Sequence, residues 1–241
     1  MITFTRHKLA FLLINLILAE WFFPNVNAQD QSSELRATYT HQRYVRNSGI
    51  WIRNDIGFRQ FFEEDPYTMI LLRPRVILEL TGILDLHPGI DFRFSHYPSL
   101  PNTLEIRTWQ GLSLHWPDVG RIYFTHFYRF EQRFYWTEGS KEEDLGLRSR
   151  YRLQMRVPLN NRILSDKTFY TDIRGEIFIP HDDEIQEIFA SQLRVGLNLG
   201  YQQNRKWRYQ ITGYIDAGRN TLEENIRATN YIIELSVRNM F

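Results

Sequence analysis

Apolar and polar residues alternate with a period of two along most of the chain after residue 48, and this pattern constrains the fold more than any other feature. Between residues 145 and 157, for example, the apolar Leu147 and Tyr151 share one face, while four arginines share the other. Such alternation indicates strands, because successive side chains of a strand point to opposite faces. Each run is about ten residues long or longer, which is the length of a tilted strand that crosses a membrane.

Ten segments show this alternation, and their connections are alternately short turns and longer loops that carry most of the loop acids. In an up-and-down barrel, alternate connections lie at opposite ends. The sequence therefore predicts an all-β, antiparallel, up-and-down transmembrane β-barrel of about ten strands, with twelve strands as the alternative. The predicted strands are 50–61, 68–81, 83–96, 103–116, 120–136, 145–157, 168–180, 190–202, 206–217 and 228–241.

Residues 29–48 do not fit this scheme. The part from Leu35 to Tyr44 could form a strand, but an eleventh strand would break the even count of bacterial barrels. Residues 29–48 could also form a periplasmic extension, a plug, or two short strands of a twelve-stranded barrel, and the sequence does not decide among these. We therefore assign residues 49–241 to the barrel and treat residues 29–48 as an N-terminal extension.

The N-terminus has the order of a secretory signal peptide. The basic residues Arg6 to Lys8 precede an apolar run from Leu9 to Phe23, and small or permissive residues follow at Val26 to Ala28. A transmembrane anchor needs about 20 apolar residues, whereas this run is shorter and contains Glu20. We expect residues 1–28 to be cleaved as a signal peptide and the protein to reach the outer membrane of a Gram-negative bacterium.

Composition agrees with an exported barrel. The chain has no cysteine, so its stability must come from packing, a continuous hydrogen-bond ladder or a membrane. Aromatic residues make up 15% of the chain, and no apolar run after the signal peptide reaches the length of a membrane helix. The net charge of +1 gives no argument for a nucleic-acid partner.

Alternation alone does not say which face is inside, and a soluble barrel would bury the apolar face. The C-terminal segment favours the inverted arrangement, with the apolar face outward and the polar face inward. Its amphipathic last strand ends with an aromatic residue, which resembles the signal read by the barrel-assembly machinery. That machinery and outer-membrane lipids are the expected partners, and the chain is expected to be a monomer. The predicted assembly signal consists of Tyr231, Ile233, Leu235, Val237 and Phe241.

The polar faces then line an arginine-rich lumen, and we expect their opposite charges to pair there as a structural network. Symmetric hairpins would place Glu131 near Arg150, Arg150 near Glu176, and Arg174 near Arg152 or Asp172. The predicted lumenal charge network consists of Arg73, Arg75, Arg107, Arg129, Glu131, Arg133, Arg148, Arg150, Arg152, Asp172, Arg174 and Glu176.

The chain also resembles an uncharacterised bacterial family, domain of unknown function 2490. The resemblance covers roughly residues 50–241, and the Arg-x-Glu-x-Arg element at Arg129 to Arg133 is its most specific part. It implies an outer-membrane β-barrel of the Bacteroidota and brings no activity. The matching segments are Arg129–Phe134, Leu147–Arg152, Leu72–Pro74, Gly175–Phe178 and Gln192–Leu197.

The sequence favours a structural or binding role for such a barrel, with acidic extracellular loops. One alternative is an outer-membrane enzyme acting on lipid or peptide at the outer rim, with Ser95 and His96, or His181 with Asp182 and Asp183, as candidates. Ser95 and His96 are neighbours on a strand and point to opposite faces, which makes a poor dyad. A narrow pore for small solutes is the other alternative. No motif predicts a cofactor, a metal or a catalytic residue.

Overall fold

The computed structural model describes residues 32–63, 65–140, 143–181, 193–219 and 226–241, and in these residues eleven strands close into one barrel. No helix in the described part is long and apolar enough to cross a membrane. The predicted signal peptide lies outside the described residues. The strands are β1 (Ser32–Val45), β2 (Ile50–Phe62), β3 (Tyr67–Glu79), β4 (Leu84–His96), β5 (Thr103–His115), β6 (Tyr123–Thr137), β7 (Glu143–Pro158), β8 (Thr168–Pro180), β9 (Leu193–Gln202), β10 (Trp207–Arg219) and β11 (Ile226–Met240).

The ten strands predicted from alternation correspond to β2 to β11, with ends that differ by a few residues. The start of β6 differs by three residues, because β6 begins at Tyr123 where residue 120 was predicted. A tight turn occupies those positions, because Val119 pairs with Ile122 and Gly120 adopts a φ of 66°. Glycine tolerates this left-handed conformation at no steric cost.

Two predictions about the N-terminal part of the barrel are wrong. In the described ranges the barrel has eleven strands, where about ten were predicted with twelve as the alternative, and its first strand begins at Ser32, before the predicted start at residue 49. The segment left open in the sequence forms β1, which pairs with β2 on one side and β11 on the other. Because β1 and β11 run parallel while all other neighbours are antiparallel, an odd number of strands closes the barrel.

Antiparallel pairing places alternate connections at opposite ends of the barrel. We call the end with the connections β1–β2, β3–β4, β5–β6, β7–β8 and β9–β10 the turn end, and the other the loop end. At the turn end, the Tyr44 amide donates to the Phe241 carbonyl over 2.8 Å, and the Phe241 amide donates to the Gln42 carbonyl over 2.9 Å. These bonds continue the parallel seam beyond β11.

The barrel has the opposite polarity to a water-soluble core. Apolar side chains cover its outer face, where Leu197 is 62% exposed and Ile70 is 58% exposed. Charged side chains fill its interior, where Glu131 and Asp91 are fully buried. The outer positions of the predicted assembly signal follow this pattern, with Ile233, Leu235 and Phe241 exposed.

The parallel seam can be tested by cross-linking, since the chain contains no cysteine of its own. Ala37 of β1 is the register partner of Leu235 of β11, and both are exposed on the outer face. Neighbouring strands lie about 4.8 Å apart, within the reach of a disulfide. We expect Ala37→Cys with Leu235→Cys to cross-link on oxidation and to change migration on a non-reducing denaturing gel.

Ile211 of β10 provides the matched control, because it pairs with Leu235 and therefore lies one strand further from Ala37. Two strand spacings are about 10 Å, beyond disulfide geometry. Ala37→Cys with Ile211→Cys should give no intramolecular cross-link. If β2 instead of β1 paired with β11, Ala37→Cys with Leu235→Cys would not cross-link. The absence of that cross-link would refute the seam.

Candidate functional site in the barrel lumen

The structure places all twelve residues of the predicted charge network on the inner face of the barrel. They come from five of the strands, β3 and β5 to β8. Most are buried or line the central cavity, and each carboxylate among them lies close to more than one arginine. The lumen is therefore the first place to look for a site.

Glu131 on β6 is the hub of one group of charges. It is fully buried, and its carboxylate lies 2.7 Å from Arg148, 2.7 Å from Arg129 and 3.4 Å from Arg107. Its cross-strand partner is Arg148, so the predicted contact with Arg150 is displaced by one residue pair. The hairpin between β6 and β7 is centred slightly earlier than assumed, and a two-residue step keeps the side chain on the same face.

Asp91 on β4 is a second hub, and it contacts both arginines and the side chain of Trp109. Its carboxylate lies 2.9 Å from Arg73, 3.2 Å from Arg129 and 3.3 Å from Arg93. It also accepts a hydrogen bond of 2.8 Å from the indole Nε1 of Trp109, which is 1% exposed. The guanidinium of Arg129 lies 4.2 Å from the Trp109 ring centroid, a cation–π arrangement. The two hubs thus share Arg129.

The pairs predicted across β7 and β8 are close in the structure. Arg150 donates to Glu176 over 2.5 Å, and Arg174 lies 3.0 Å from Asp172. Asp172 also holds Arg156 at 2.6 Å, which the sequence interpretation did not pair. The register sets Arg152 opposite Glu176, but their charged atoms are 3.8 Å apart.

Inner-face glycines make room for aromatic rings in the lumen. Gly89 is the register partner of Trp109, and Gly200 is the partner of Tyr170. A Cβ atom at either glycine would overlap the ring of its partner. An aromatic ring that covers a glycine on a neighbouring strand protects its backbone and fixes the register. These rings fill part of the lumen and give the arginines surfaces on which to stack.

The lumen also contains charged residues that the sequence interpretation did not include. Glu34 and Arg36 on β1 pair at 2.5 Å, and Arg194 on β9 pairs with Asp216 on β10 at 2.5 Å. The residues on β1 were missed because that segment was set aside. Their signal was present, since Glu34 and Arg36 are two apart and share a face.

Arginines outnumber carboxylates in the described part of the lumen. A cavity of about 400 Å³ runs among them. We call Arg53, Arg75, Arg152 and Arg238 the arginine cluster, because all four line this cavity and lie in the half of their strands nearer the turn end. The lumenal carboxylates are Glu34, Asp55, Asp91, Glu105, Glu131, Asp172, Glu176, Asp216 and Glu234, and the arginines are 36, 53, 59, 73, 75, 93, 107, 129, 133, 148, 150, 152, 156, 174, 194, 208 and 238.

The serine and histidine candidates are not brought together as a dyad. Ser95 is buried in the lumen while His96 is exposed and bonds Asn102 through its ring Nδ1 at 2.9 Å. The ring Nε2 of His181 lies 2.8 Å from the Ser149 hydroxyl. Asp182 and Asp183 lie outside the described residues.

Two further imidazole contacts lie in the lumen and were not foreseen. The His87 Nε2 atom lies 2.8 Å from the Ser113 hydroxyl, and the His115 Nε2 atom lies 2.9 Å from Asp85. Both histidines line the cavity. No spacing rule could find these contacts, because each joins residues more than 25 positions apart on different strands.

Comparison with known families gives one match. The profile of a family described as "Protein of unknown function (DUF2490)" matches residues 25–224. The chain belongs to this family. Comparison with curated proteins and with solved structures gave no significant match.

The DUF2490 match confirms the resemblance stated from the sequence, while a Bacteroidota origin and an outer-membrane location stay predictions. The matched region extends from before β1 to just after β10. It therefore includes β1 with Glu34 and Arg36, so the segment that the sequence interpretation set aside is part of the family's domain.

Removing Glu131 should destabilise the barrel strongly. Truncating one partner of a buried ion pair typically costs about 3–5 kcal/mol, because a buried charge is left uncompensated. Glu131→Ala would remove the carboxylate that Arg129 and Arg148 share, and Arg107 would lose one of its ion pairs. We expect a clear fall in the urea midpoint of the refolded barrel.

Asp65→Ala is the control, since Asp65 is an exposed carboxylate in the connection between β2 and β3. Surface substitutions usually change stability by no more than about 0.5 kcal/mol. Equal midpoints for the two variants would mean that the charge network does not stabilise the fold, and that Glu131 is retained for another reason.

Proposed function

We propose that this DUF2490 protein is an integral outer-membrane β-barrel with a largely filled, cationic lumen, and that its role is structural or binding. The observation that carries the proposal is the polarity of the barrel: an apolar outer wall surrounds a charged interior. Lipid tails can cover such a wall at no hydrophobic cost, whereas exposing the same apolar surface to water is unfavourable in free energy.

The backbone arrangement supports the same proposal. A membrane accepts a sheet only when it is closed, because an open edge leaves backbone groups without partners. Here every strand has two neighbours, and the parallel seam between β1 and β11 removes the last edge. Strands of 10 to 16 residues are also long enough to cross a bilayer at a tilt.

The orientation that we propose places the loop end outside the cell. Long connections face outward in outer-membrane barrels, and short turns face the periplasm. The exposed acids Asp65 and Glu138 lie in loop-end connections. The loop end would then be the surface that meets other molecules.

A substitution on the outer wall tests the membrane location. Leu197 lies in the middle of β9 and is 62% exposed. An arginine at the midplane of a bilayer costs a barrel about 2–4 kcal/mol, whereas an arginine on a water-facing surface changes stability by about 0.5 kcal/mol or less. We expect Leu197→Arg to lower the urea midpoint of barrels folded into vesicles.

Val119 supplies a control of nearly equal exposure, 60%, in the turn between β5 and β6. Near the membrane interface an arginine costs only about 0–1 kcal/mol. If Leu197→Arg is no more destabilising than Val119→Arg, the outer wall does not face lipid, and the proposed location is wrong. Fractionation of the native envelope would provide the independent measurement.

Conductance separates a filled barrel from a pore. Eight strands enclose a lumen that side chains just fill, whereas sixteen to eighteen leave an aqueous channel, and eleven strands lie nearer the first case. Trp109 and the charges around Asp91 also extend into the lumen. We expect no large steady conductance in planar bilayers. Porin-like openings would favour the narrow-pore alternative over a binding role.

A further inference from the structure

The lumen carries an excess of positive charge, and the arginine cluster has longer contacts with carboxylates than the arginines around Asp91 and Glu131 have. Elsewhere in the lumen, Asp91 and Glu131 each lie within 3.4 Å of three arginines. In the cluster, Asp55 lies 2.9 Å from Arg53 but 3.8 Å from Arg75. Glu176 bonds Arg150 and lies 3.8 Å from Arg152. These contacts compensate the cluster only in part.

Arg238 is the member of the arginine cluster with the fewest polar contacts. Its side chain makes no hydrogen bond and no ion pair within the described residues. The charges that act most strongly on it are those of Arg53, Arg208, Arg156 and Asp55, so three of the four repel it. A half-buried guanidinium among other guanidiniums is stabilised by an anion nearby.

Several side chains around the cavity carry a hydrogen-bond donor that has no acceptor among the described residues. The Nε atoms of Arg75, Arg152 and Arg238 are buried and lack a hydrogen-bond acceptor, as does the Nε2 atom of Gln210. All four side chains line the cavity of about 400 Å³. Buried donors are normally satisfied in proteins, so several arginines with unused donors around one cavity indicate room for a further acceptor.

The residue type indicates which acceptor fits. The planar fork of arginine binds carboxylate and phosphate groups through two parallel hydrogen bonds. One carboxylate would add a single negative charge to a cluster of four arginines that already shares Asp55. A phosphate group carries about 1.5 to 2 negative charges near neutral pH and offers three acceptor oxygens, which suits several forks at once.

We propose that the arginine cluster binds a small, multiply charged oxyanion of the phosphate type inside the lumen, near the turn end. The phosphate could belong to a soluble compound or to a lipid headgroup, and both present the same chemistry to Arg53, Arg75, Arg152 and Arg238. This inference deepens the binding role proposed above. Anion binding depends on the lumen alone. It can therefore be tested in detergent, and the result does not depend on whether the barrel lies in a membrane in the cell.

The test uses the full chain refolded in zwitterionic micelles, with folding checked by heat-modifiable gel mobility and inorganic pyrophosphate titrated by calorimetry. Arg238→Gln removes one cluster charge without stranding a described carboxylate. It should weaken pyrophosphate affinity by at least about tenfold, or about 1.4 kcal/mol. If this variant fails to fold, Arg75→Gln replaces it, because Asp55 keeps its contact with Arg53.

Arg205→Gln is the matched control, since Arg205 is an exposed arginine in the turn between β9 and β10, at the same end of the barrel. It removes the same charge outside the cavity, and affinity should change less than about twofold. Equal weakening by both variants would show general attraction to a basic surface and would overturn the site, as would the absence of pyrophosphate binding together with a negative result in vesicles.

Vesicles distinguish the two sources of phosphate. The barrel is folded into phosphatidylcholine vesicles with or without phosphatidic acid, and its urea midpoint is compared with that of Arg238→Gln. If phosphatidic acid raises the midpoint only when Arg238 is present, the site takes a lipid phosphate. If pyrophosphate binding depends on Arg238 but phosphatidic acid has no such effect, the site takes a soluble compound.

Discussion

The neutralisation of buried charge is the constraint on which this barrel depends. A carboxylate or guanidinium taken out of water must find its counter-charge inside the protein. The interior meets this requirement in part, because Asp91 and Glu131 each contact three arginines from their own and nearby strands. Because each hub spans several strands, the ion pairs also fix the register of the sheet. A slip of one residue would carry every charge to the outer wall.

Arginine suits this architecture better than lysine would. Its flat guanidinium can share carboxylates on two sides and still stack on a ring. Arg129 does both, between Asp91, Glu131 and Trp109. The ring of Trp109 can lie against the wall only because its neighbour at position 89 is glycine. The same residues therefore provide both charge pairing and packing in the lumen, around a cavity of about 400 Å³.

Alternation was sufficient to predict most of the strands, because the contrast between the two faces is strong. It failed at β1 for a different reason: the expectation of an even strand count outweighed a local pattern that was present in the sequence. The partner of Glu131 was displaced by one pair because the length of the turn before β7 is not encoded in the strands.

The arginine cluster lay beyond sequence reasoning. Arg238 and Arg53 become neighbours only through the seam between β11, β1 and β2. The whole-chain charge of +1 also conceals the separation of charge, since acidic loops offset a cationic interior.

The parallel seam has a topological consequence for the two ends of the chain. In an even barrel with antiparallel closure, the first and last strands begin and finish on the same side. Here β1 starts at the loop end, whereas β11 finishes at the turn end. Ser32 and Phe241 therefore lie at opposite mouths of the barrel. If the barrel crosses a bilayer, the start of β1 and the end of β11 face different sides of it.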